Sequence, residues 1–326
     1  MRQEEVDSMY MRRCLQLAAN GMGRVRPNPL VGCVVVREAK SGEWDVIREG
    51  YHQEYGHNHA ERNALLRPGD YRDATLYVNL EPCSHYGKTP PCADLIIEKG
   101  IRRVVCCNDD PNPLVSGNGF RKLEAAGIEV TRHVLEEEGR ELNRRFFTFM
   151  EQQRPYVILK WAESQDGYIA PSLTPNPSPK GEGLGVRSYW LSTQQQNRLN
   201  HRWRTEEAAI LVGSETYLSD HPALTPRHYL GPAPQPVVLD RRNRLTEVLP
   251  HWRHLSCKTI PEVLHELYEA KLQSVIVEGG RKVLDAFIAS GLYDEVRILR
   301  SPQQLGSGLK APEIPPIAPH RLIVID

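Results

Sequence analysis

The segments HAERNALL (residues 59–66) and LEPCSHYGKTPPC (residues 80–92) contain the residues that decide the fold of the first half of the chain. The first segment places a histidine two positions before a glutamate, at the start of a predicted helix. The second contains two cysteines nine positions apart. Catalytic zinc sites use three nitrogen or sulfur ligands from the protein and leave the fourth position to water. Because His59, Cys83 and Cys92 supply such a set, the two segments predict one Zn²⁺ per chain.

The glutamate between these ligands in sequence, Glu61, is a candidate acid–base group. A carboxylate two residues from the histidine reaches the water beside the metal without displacing it, so it can move protons without being a ligand. Taken singly, these residues have ordinary interpretations, since a histidine can cap a helix, a cysteine can fill a core and an acid suits a first helical turn. Their joint spacing favours the catalytic site. A non-catalytic zinc module is the alternative, and it needs a fourth ligand, for which His85 is the candidate.

The length and the pattern of elements predict two α/β domains. A chain of 326 residues exceeds the usual size of one core. In the first half, residues 31–36 and 45–52 predict a β-hairpin. Further buried-strand patterns alternate with helical patterns, including helices that begin at residues 59 and 92, which favours a mostly parallel sheet. The strand pattern restarts after residue 153, with strands predicted at 155–162, 208–213, 236–240, 274–280 and 295–300. We place the domains at residues 1–147 and 148–326. Residues 171–187 are rich in proline and glycine, and we interpret them as a surface loop inside the second domain.

Charge and hydropathy exclude several classes of partner. Lysine plus arginine equals aspartate plus glutamate at 41 each, so no global positive field attracts nucleic acid or an anionic membrane. No apolar run reaches the roughly 18 residues of a membrane helix, and the first twenty residues are too charged for a secretory signal. Seven cysteines, an odd count, fit reduced thiols. We therefore expect a cytoplasmic protein with no nucleic-acid or membrane partner, and a homo-oligomer.

Three motifs of the first half carry a family resemblance. RPNPLVGCVVV (26–36), HAERNALL (59–66) and EPCSHYGKTPPC (81–92) together resemble the deaminase domain of the bifunctional deaminase–reductases of riboflavin biosynthesis. The His-x-Glu and Pro-Cys elements match the zinc-deaminase signature. The spacing between Cys83 and Cys92 is longer than in that signature, and this longer spacing is the one found in the family that the chain resembles. The resemblance implies a three-layer, cytidine-deaminase-like αβα sandwich. It implies hydrolytic deamination of 2,5-diamino-6-ribosylamino-4(3H)-pyrimidinone 5′-phosphate, a small phosphorylated pyrimidine.

Two further residues are candidate substrate contacts of this domain. By resemblance, Asn28, which stands between two prolines, contacts the base or ribose. Lys88 lies between the two predicted cysteine ligands, and we predict that it contacts the 5′-phosphate, with a solvated loop lysine as the alternative.

The second half gives a weaker signal from residues alone. IVEGGRKVLDAF (276–287) reads as a strand, a Gly-Gly turn and a helix, whose amides can receive a dinucleotide phosphate, but a glycine pair does not establish a Rossmann fold. LKWAESQDGYIA (159–170), SYWLS (188–192), AAILVGSETYLSDHPALTPR (208–227) and PVVLD (236–240) resemble, in order, the reductase domain of the same family. The resemblance implies a three-layer, dihydrofolate-reductase-like α/β domain that uses NADPH to reduce the ribosyl side chain of 5-amino-6-(5-phosphoribosylamino)uracil to ribityl.

The resemblance also implies which residues bind the two molecules in this domain. The implied nucleotide contacts are Ala162, Trp190, Thr216, Asp220, Gly280, Arg281, Lys282, Val283, Leu284, Asp285 and Ala286. The implied substrate contacts are Ser188, Arg204, Leu224, Arg227 and Glu278. Arg204 and Arg227 have the bidentate geometry that suits a phosphate.

Two departures from the family pattern leave a functional alternative open. His221 stands where the family often has an acid or an amide, and the loop at 171–187 replaces a shorter connection. These departures predict an active deaminase with an impaired reductase as one alternative. A nucleoside or tRNA-base deaminase is another, although zero net charge and 7% aromatic residues do not favour a tRNA enzyme.

Overall fold

The computed structural model describes residues 2–87, 90–112, 116–171, 191–316 and 321–326. The chain divides into two compact units, Met1–Gln153 and Arg154–Asp326. Each unit is built around its own sheet. Lys88, Ser188 and Trp190 lie outside the described residues, as does all of the proline- and glycine-rich segment except Pro171.

The first unit is an αβα sandwich around a five-stranded sheet. Its helices and strands are α1 (Gln3–Ala19), β1 (Gly32–Glu38), β2 (Trp44–Tyr51), α2 (Ala60–Leu65), β3 (Thr75–Leu80), α3 (Cys92–Glu98), β4 (Arg103–Asn108), α4 (Asn118–Ala125), β5 (Glu129–Thr131), α5 (Glu136–Leu142) and α6 (Arg144–Gln152). The strand order is β2-β1-β3-β4-β5. On one face, residues such as Val35 and Leu76 pack with α2, α3 and α4. On the other, Val34 and Tyr77 pack with α1. Successive side chains of a strand point to opposite faces, so both faces bury apolar residues.

The pairing of the strands confirms the predicted hairpin and corrects one detail. β1 and β2 pair antiparallel, as the sequence predicts for residues 31–36 and 45–52. β1 also pairs antiparallel with β3, so only β3, β4 and β5 form a parallel group. The prediction of a mostly parallel sheet is therefore right for half of the pairs. β1 and β2 are antiparallel because the connection between them is short, whereas a parallel pair needs a long crossover.

The second unit contains a seven-stranded parallel sheet. Its helices and strands are β6 (Tyr156–Glu163), β7 (Tyr168–Pro171), α7 (Gln194–Glu206), β8 (Ala209–Gly213), α8 (Ser214–Asp220), β9 (Gln235–Leu239), β10 (Arg253–Leu255), α9 (Ile260–Glu269), β11 (Ser274–Val277), α10 (Arg281–Ser290), β12 (Glu295–Arg300), β13 (Gly308–Lys310) and β14 (Arg321–Ile325). The order is β10-β9-β8-β11-β6-β12-β14, and all these neighbours pair parallel. β7 and β13 form a separate antiparallel pair.

This arrangement places the carboxyl ends of several central strands side by side. β9, β8, β11 and β6 are four consecutive neighbours in the sheet. In open α/β sheets, ligands bind beyond the carboxyl ends of the strands. Both faces of the sheet are covered by buried clusters, one with α9 and α10 and the other with Trp203 of α7. Candidate ligand-binding residues of this unit are therefore expected where these strands end.

Among the helices that the structure describes, none has the length and apolar character needed to cross a lipid bilayer.

Candidate active sites

The first unit brings the three predicted metal ligands together. His59 Nδ1 lies 3.5 Å from the Sγ atoms of both Cys83 and Cys92. All three ligand atoms lie within 4.8 Å of one another. Within the described part of the chain this cluster has three members, and the exposed His85 is not among them. One imidazole nitrogen and two sulfurs are the donor set that Zn²⁺ prefers, and three ligands leave its fourth position open.

Two helices and one strand end hold the ligands. His59 is the N-cap residue of α2, Cys92 is the first residue of α3, and Cys83 follows the end of β3. The backbone N–H of Cys92 donates to Cys83 Sγ at 3.4 Å, and the N–H of Ala93 donates to the Cys83 carbonyl at 3.1 Å. Both helices thus begin at the site, where their N-terminal amides favour thiolate charge.

The two cysteines are in different electrostatic environments. A hydrogen bond from Cys92 and the neighbouring His59 outweigh burial and lower the pKa of Cys83 to about 4. The Cys83 thiolate and burial raise the pKa of Cys92 well above its usual range. Both thiols are free of disulfides. The residues present therefore fit a zinc ion, which binds thiolates in preference to thiols.

Glu61 lies in the first turn of α2 and is 3% exposed. Burial raises the pKa of its carboxyl group, and the nearby His59 opposes this effect. A glycine makes this placement possible: a Cβ at Gly50 of β2 would lie 2.5 Å from the Ala60 carbonyl oxygen and 2.7 Å from the Ala64 nitrogen. The absence of a side chain at Gly50 lets α2 pack directly against the edge strand.

Asn28 is held beside the metal cluster by a residue that the sequence analysis did not single out. Its Nδ2 atom lies 3.1 Å from Nε2 of His52. The ring of His52 packs edge-on against that of His59, with centroids 5.6 Å apart. Two buried asparagines, Asn79 and Asn143, fix the chain that follows through hydrogen bonds with the backbone of Leu30 and of Gly32. Asn28 therefore belongs to a segment whose position is fixed by hydrogen bonds from buried side chains.

Glu81 is a second residue that sequence reasoning missed. It is 4% exposed and precedes the Pro82-Cys83 pair. Its carboxylate accepts hydrogen bonds from the backbone N–H groups of Gly117 at 3.0 Å and Gly119 at 2.9 Å. Carboxylates stabilise helix N-termini, and this one binds the start of α4. The sequence carries no local signal for the contact, because Gly117 lies 36 positions from Glu81 in the chain.

In the second unit a buried charge cluster surrounds Glu278. Arg204 donates through Nε at 3.1 Å and through Nη2 at 2.7 Å to the two carboxylate oxygens. Lys160 Nζ lies 3.7 Å from Glu278 Oε2. Burial would raise the pKa of Glu278, but Lys160 and Arg204 outweigh it and lower the pKa to about 2. Burial lowers the pKa of Lys160, and Glu278 opposes this change.

Lys160 was not predicted as a site residue. It lies on β6 two positions before Ala162, so both side chains point to the same face of the sheet. Leu224 is buried in the cluster on this face, and Arg204 comes from the helix that covers it. A charged residue inside an otherwise apolar strand pattern, YVILKWA, is the signal that could have identified Lys160.

The segment 280–286 forms the start of α10, as the sequence predicts for a strand–turn–helix. Gly280 is the N-cap residue and no side chain caps the helix. Glycines at the ends of two neighbouring strands make the packing tight: a Cβ at Gly213 would lie 2.8 Å from Val283, and one at Gly279 would lie 3.1 Å from it. Thr216 lies next to this turn, with Oγ1 3.4 Å from the position of a Cβ on Gly280. The uncapped amides and the glycine-lined approach fit a nucleotide phosphate.

Several side chains in this region already have protein partners. Arg281 donates to Asp285 and to the carbonyl oxygens of Lys310 and Ala311. Lys282 pairs with Glu215 at 3.1 Å.

Three other predicted contacts have the following positions. Leu284 is fully buried in the core. Asp220 ends α8, and His221, with φ 41°, is its left-handed C-cap. Arg227 precedes His228, whose ring lies 4.6 Å from that of His201.

Two family models match this chain. The model described as "RibD C-terminal domain" matches residues 155–317, and the model described as "Cytidine and deoxycytidylate deaminase zinc-binding region" matches residues 4–108. The matched ranges fall in the second and first compact units, respectively.

Relatives of known name cover nearly the whole chain. The riboflavin biosynthesis protein RibD of Aquifex aeolicus is 38% identical over 94% of this chain and 89% of the relative. RibD of Escherichia coli strain K12 is 35% identical over 92% of this chain and 89% of the relative.

Solved structures give the same result for the fold. A diaminohydroxyphosphoribosylaminopyrimidine deaminase/5-amino-6-(5-phosphoribosylamino)uracil reductase from Thermotoga maritima has a TM-score of 0.81 at 37% identity, over 95% of this chain and 90% of that chain. RibD of Acinetobacter baumannii has a TM-score of 0.83 at 32% identity over the same shares. Motifs, paired domains and overall fold agree, and the chain belongs to the RibD family of riboflavin biosynthesis, bifunctional enzymes that carry a zinc-binding deaminase domain and an NADPH-using reductase domain.

Proposed function

We propose that residues 1–147 perform the deamination with His59, Cys83 and Cys92 as zinc ligands and Glu61 as the proton-transfer group. The observation that supports this assignment is the three-ligand cluster with a buried carboxylate in the first turn of the helix that begins at His59. A bound zinc ion supplies Lewis-acid activation of water at neutral pH. Glu61 would hold the proton released when water is activated and pass it to the leaving amine, which is the role of a carboxylate that is close to a metal and does not bind it.

We assign the reduction of the ribosyl side chain to residues 148–326, around Glu278. NADPH supplies the hydride, and the protein supplies position and electrostatics. We assign Glu278 to contact with the substrate. Arg204 forms a bidentate pair with Glu278 and so fixes the position of its carboxylate. Lys160 brings a proton-bearing group to the same face of the sheet. Arg227 then becomes the stronger candidate for the substrate phosphate, because the guanidinium of Arg204 is engaged by Glu278.

The phosphate of the deaminase substrate is assigned to Lys88 on the sequence argument, since the lysine lies outside the described residues. The nucleotide is assigned to Ala162, Trp190, Thr216, Asp220 and residues 280–286, and the reductase substrate also to Ser188 and Leu224. Backbone amides at the start of α10 and the glycine-lined approach support the phosphate position.

We further propose a homo-oligomer in the cytoplasm. Edge strand β2 borders a cleft of about 640 Å³, and Val46 and Leu66, both about half exposed, line it. An edge strand beside half-exposed apolar side chains is a usual place for self-association. All seven cysteines are free thiols, which suits a reducing compartment.

One assay tests both halves. The purified protein is incubated with the diaminopyrimidine phosphate, with and without NADPH, while ammonia release and NADPH absorbance are followed separately. We expect ammonia in both cases and NADPH oxidation only after deamination. Ammonia release without any NADPH oxidation would favour an impaired reductase. Ammonia release from cytidine or a tRNA base, and none from the diaminopyrimidine, would contradict the proposed substrate.

A further inference from the structure

The hydrogen bonds of His52 define which tautomer of its ring is present. Nδ1 lies 3.0 Å from the carbonyl oxygen of Asn58. A carbonyl oxygen only accepts, so Nδ1 carries the proton and donates it. In a neutral imidazole the other nitrogen, Nε2, is then an acceptor. His52 is 2% exposed, which leaves it little access to solvent.

The acceptor at Nε2 defines the orientation of the Asn28 side chain. Nδ2 of Asn28 lies 3.1 Å from it and donates. The opposite orientation would place Oδ1 against the lone pair of Nε2, which is repulsive. The amide is therefore oriented, and its Oδ1 atom turns away from His52.

We propose that His52 is a positioning residue of the deaminase, which orients Asn28 so that Oδ1 accepts a hydrogen bond from an N–H group of the aminopyrimidine. This inference rests on the proposed deamination and on the contact between Asn28 and its substrate that the family resemblance implies. His52 also contacts the ring of His59, so the oriented amide lies one side chain away from the metal cluster. An acceptor aimed at the base selects a ring that presents an N–H or NH₂ group there, because a base with an acceptor at that place would leave Oδ1 unpaired.

A matched pair of variants separates the two hydrogen bonds of the ring. In His52→Asn the amide nitrogen replaces Nδ1 and keeps the bond to Asn58, but the acceptor for Asn28 is lost. In His52→Gln the amide oxygen replaces Nε2 and keeps that acceptor, but the bond to Asn58 is lost. We expect His52→Asn to lower kcat/KM for ammonia release by on the order of 10- to 100-fold, chiefly through a higher KM, and His52→Gln to lower it less. An equal loss, or a greater loss in His52→Gln, would show that orientation of Asn28 is not its role.

A double variant tests whether His52 acts through Asn28. If it does, His52→Asn adds little to the loss already caused by Asn28→Ala. An impaired Asn28→Ala whose loss multiplies with that of His52→Asn would leave the substrate contact standing and refute the positioning role. A fully active Asn28→Ala would refute both.

Two measurements on the same preparations complete the test. Zinc content reports on the metal site of the first unit, and reduction of the separately supplied deaminated intermediate shows whether the second unit is folded. Loss of zinc from His52→Asn would mean that His52 acts on His59, and the proposal would be wrong. In ¹⁵N spectra of the unmodified protein at neutral pH, with His52 assigned from the His52→Gln variant, we expect the proton on Nδ1. A proton on Nε2 would overturn the inference.

Discussion

Two buried glutamates illustrate how surroundings divide acid–base roles in this chain. Burial dominates at Glu61 and raises its pKa, which suits a group that must hold and release a proton. At Glu278, Lys160 and Arg204 outweigh the effect of burial and hold the carboxyl group ionised. The residue type is the same, but one site favours proton exchange and the other favours a fixed charge.

Replacing Glu61 by Gln tests the proton-transfer role. Gln keeps the size and the hydrogen-bonding capacity but cannot take a proton, so we expect kcat for ammonia release to fall by about 10² to 10⁴. Zinc content should stay near one per chain, because Glu61 is not a ligand. Glu98→Gln, an exposed change at the end of α3, is the control and should keep the original rate. Deamination within a few-fold of the original in Glu61→Gln would favour a structural zinc site.

Replacing Glu278 by Gln tests the buried charge cluster. The change leaves Arg204 and Lys160 without their counter-charge, and breaking a buried pair destabilises by about 3–5 kcal/mol. Glu215→Gln removes an exposed partner of Lys282 and should cost about 0–1 kcal/mol. Urea unfolding followed by tryptophan fluorescence, to which Trp161, Trp203 and Trp252 contribute from the second unit, measures both. Equal effects would mean that solvent screens the Glu278 cluster.

At the scale of elements, the deaminase site depends on where two short helices begin. α2 and α3 start at His59 and Cys92, and α2 lies close enough to β2 only because position 50 has no side chain. Sequence patterns predicted both helix starts, since the ligands are part of a recognisable motif. They did not predict the role of Gly50, because the crowding comes from residues ten or more positions away in the chain.

A methyl group at Gly50 should therefore disturb the metal site from outside it. In Gly50→Ala the new Cβ would meet backbone atoms of α2 at 2.5 and 2.7 Å, and backbone cannot rotate away. We expect overpacking to cost about 1–3 kcal/mol and to weaken zinc retention during dialysis against a chelator. Gly69→Ala, whose methyl group would meet the ring of Tyr71 at 3.3 Å, is the matched control. Unchanged zinc retention in Gly50→Ala would mean that α2 shifts without moving His59.

Helix α7 should make the second unit sensitive to acid. Burial and the cation Arg204 lower the pKa of His201 to about 4, against about 6.5 in an unfolded chain. The unfolded state therefore binds the proton first as the pH falls, and stability falls between about pH 6.5 and 4. His201→Asn should remove this part of the pH dependence, measured by urea unfolding at several pH values. His265→Asn, an exposed change on α9, controls for the loss of a histidine. A pH dependence retained in His201→Asn would contradict this assignment.

Across the whole molecule, the strength of the local patterns determined what could be predicted. Five strands of the second unit were predicted because their buried runs are continuous, whereas β7, β10, β13 and β14 were missed. Those four are short or half-exposed, so they lack a distinct period. Lys160 was missed because its partner Glu278 is brought close only by the pairing of β6 with β11. Contacts between distant segments leave no mark in a single sequence.

The two activities should be separable by removing the metal. All three predicted ligands lie in Met1–Gln153, whereas Lys160, Glu278 and the start of α10 lie in Arg154–Asp326, and each unit has its own sheet and core. Treatment of the full chain with a strong zinc chelator should therefore abolish ammonia release and leave NADPH oxidation with the supplied deaminated intermediate. Added Zn²⁺ should restore ammonia release. Lys160→Met is the reciprocal case and should slow NADPH oxidation while ammonia release continues. If chelation stops both reactions, the metal also supports the second unit, and the assignment of one reaction to each unit would have to be abandoned.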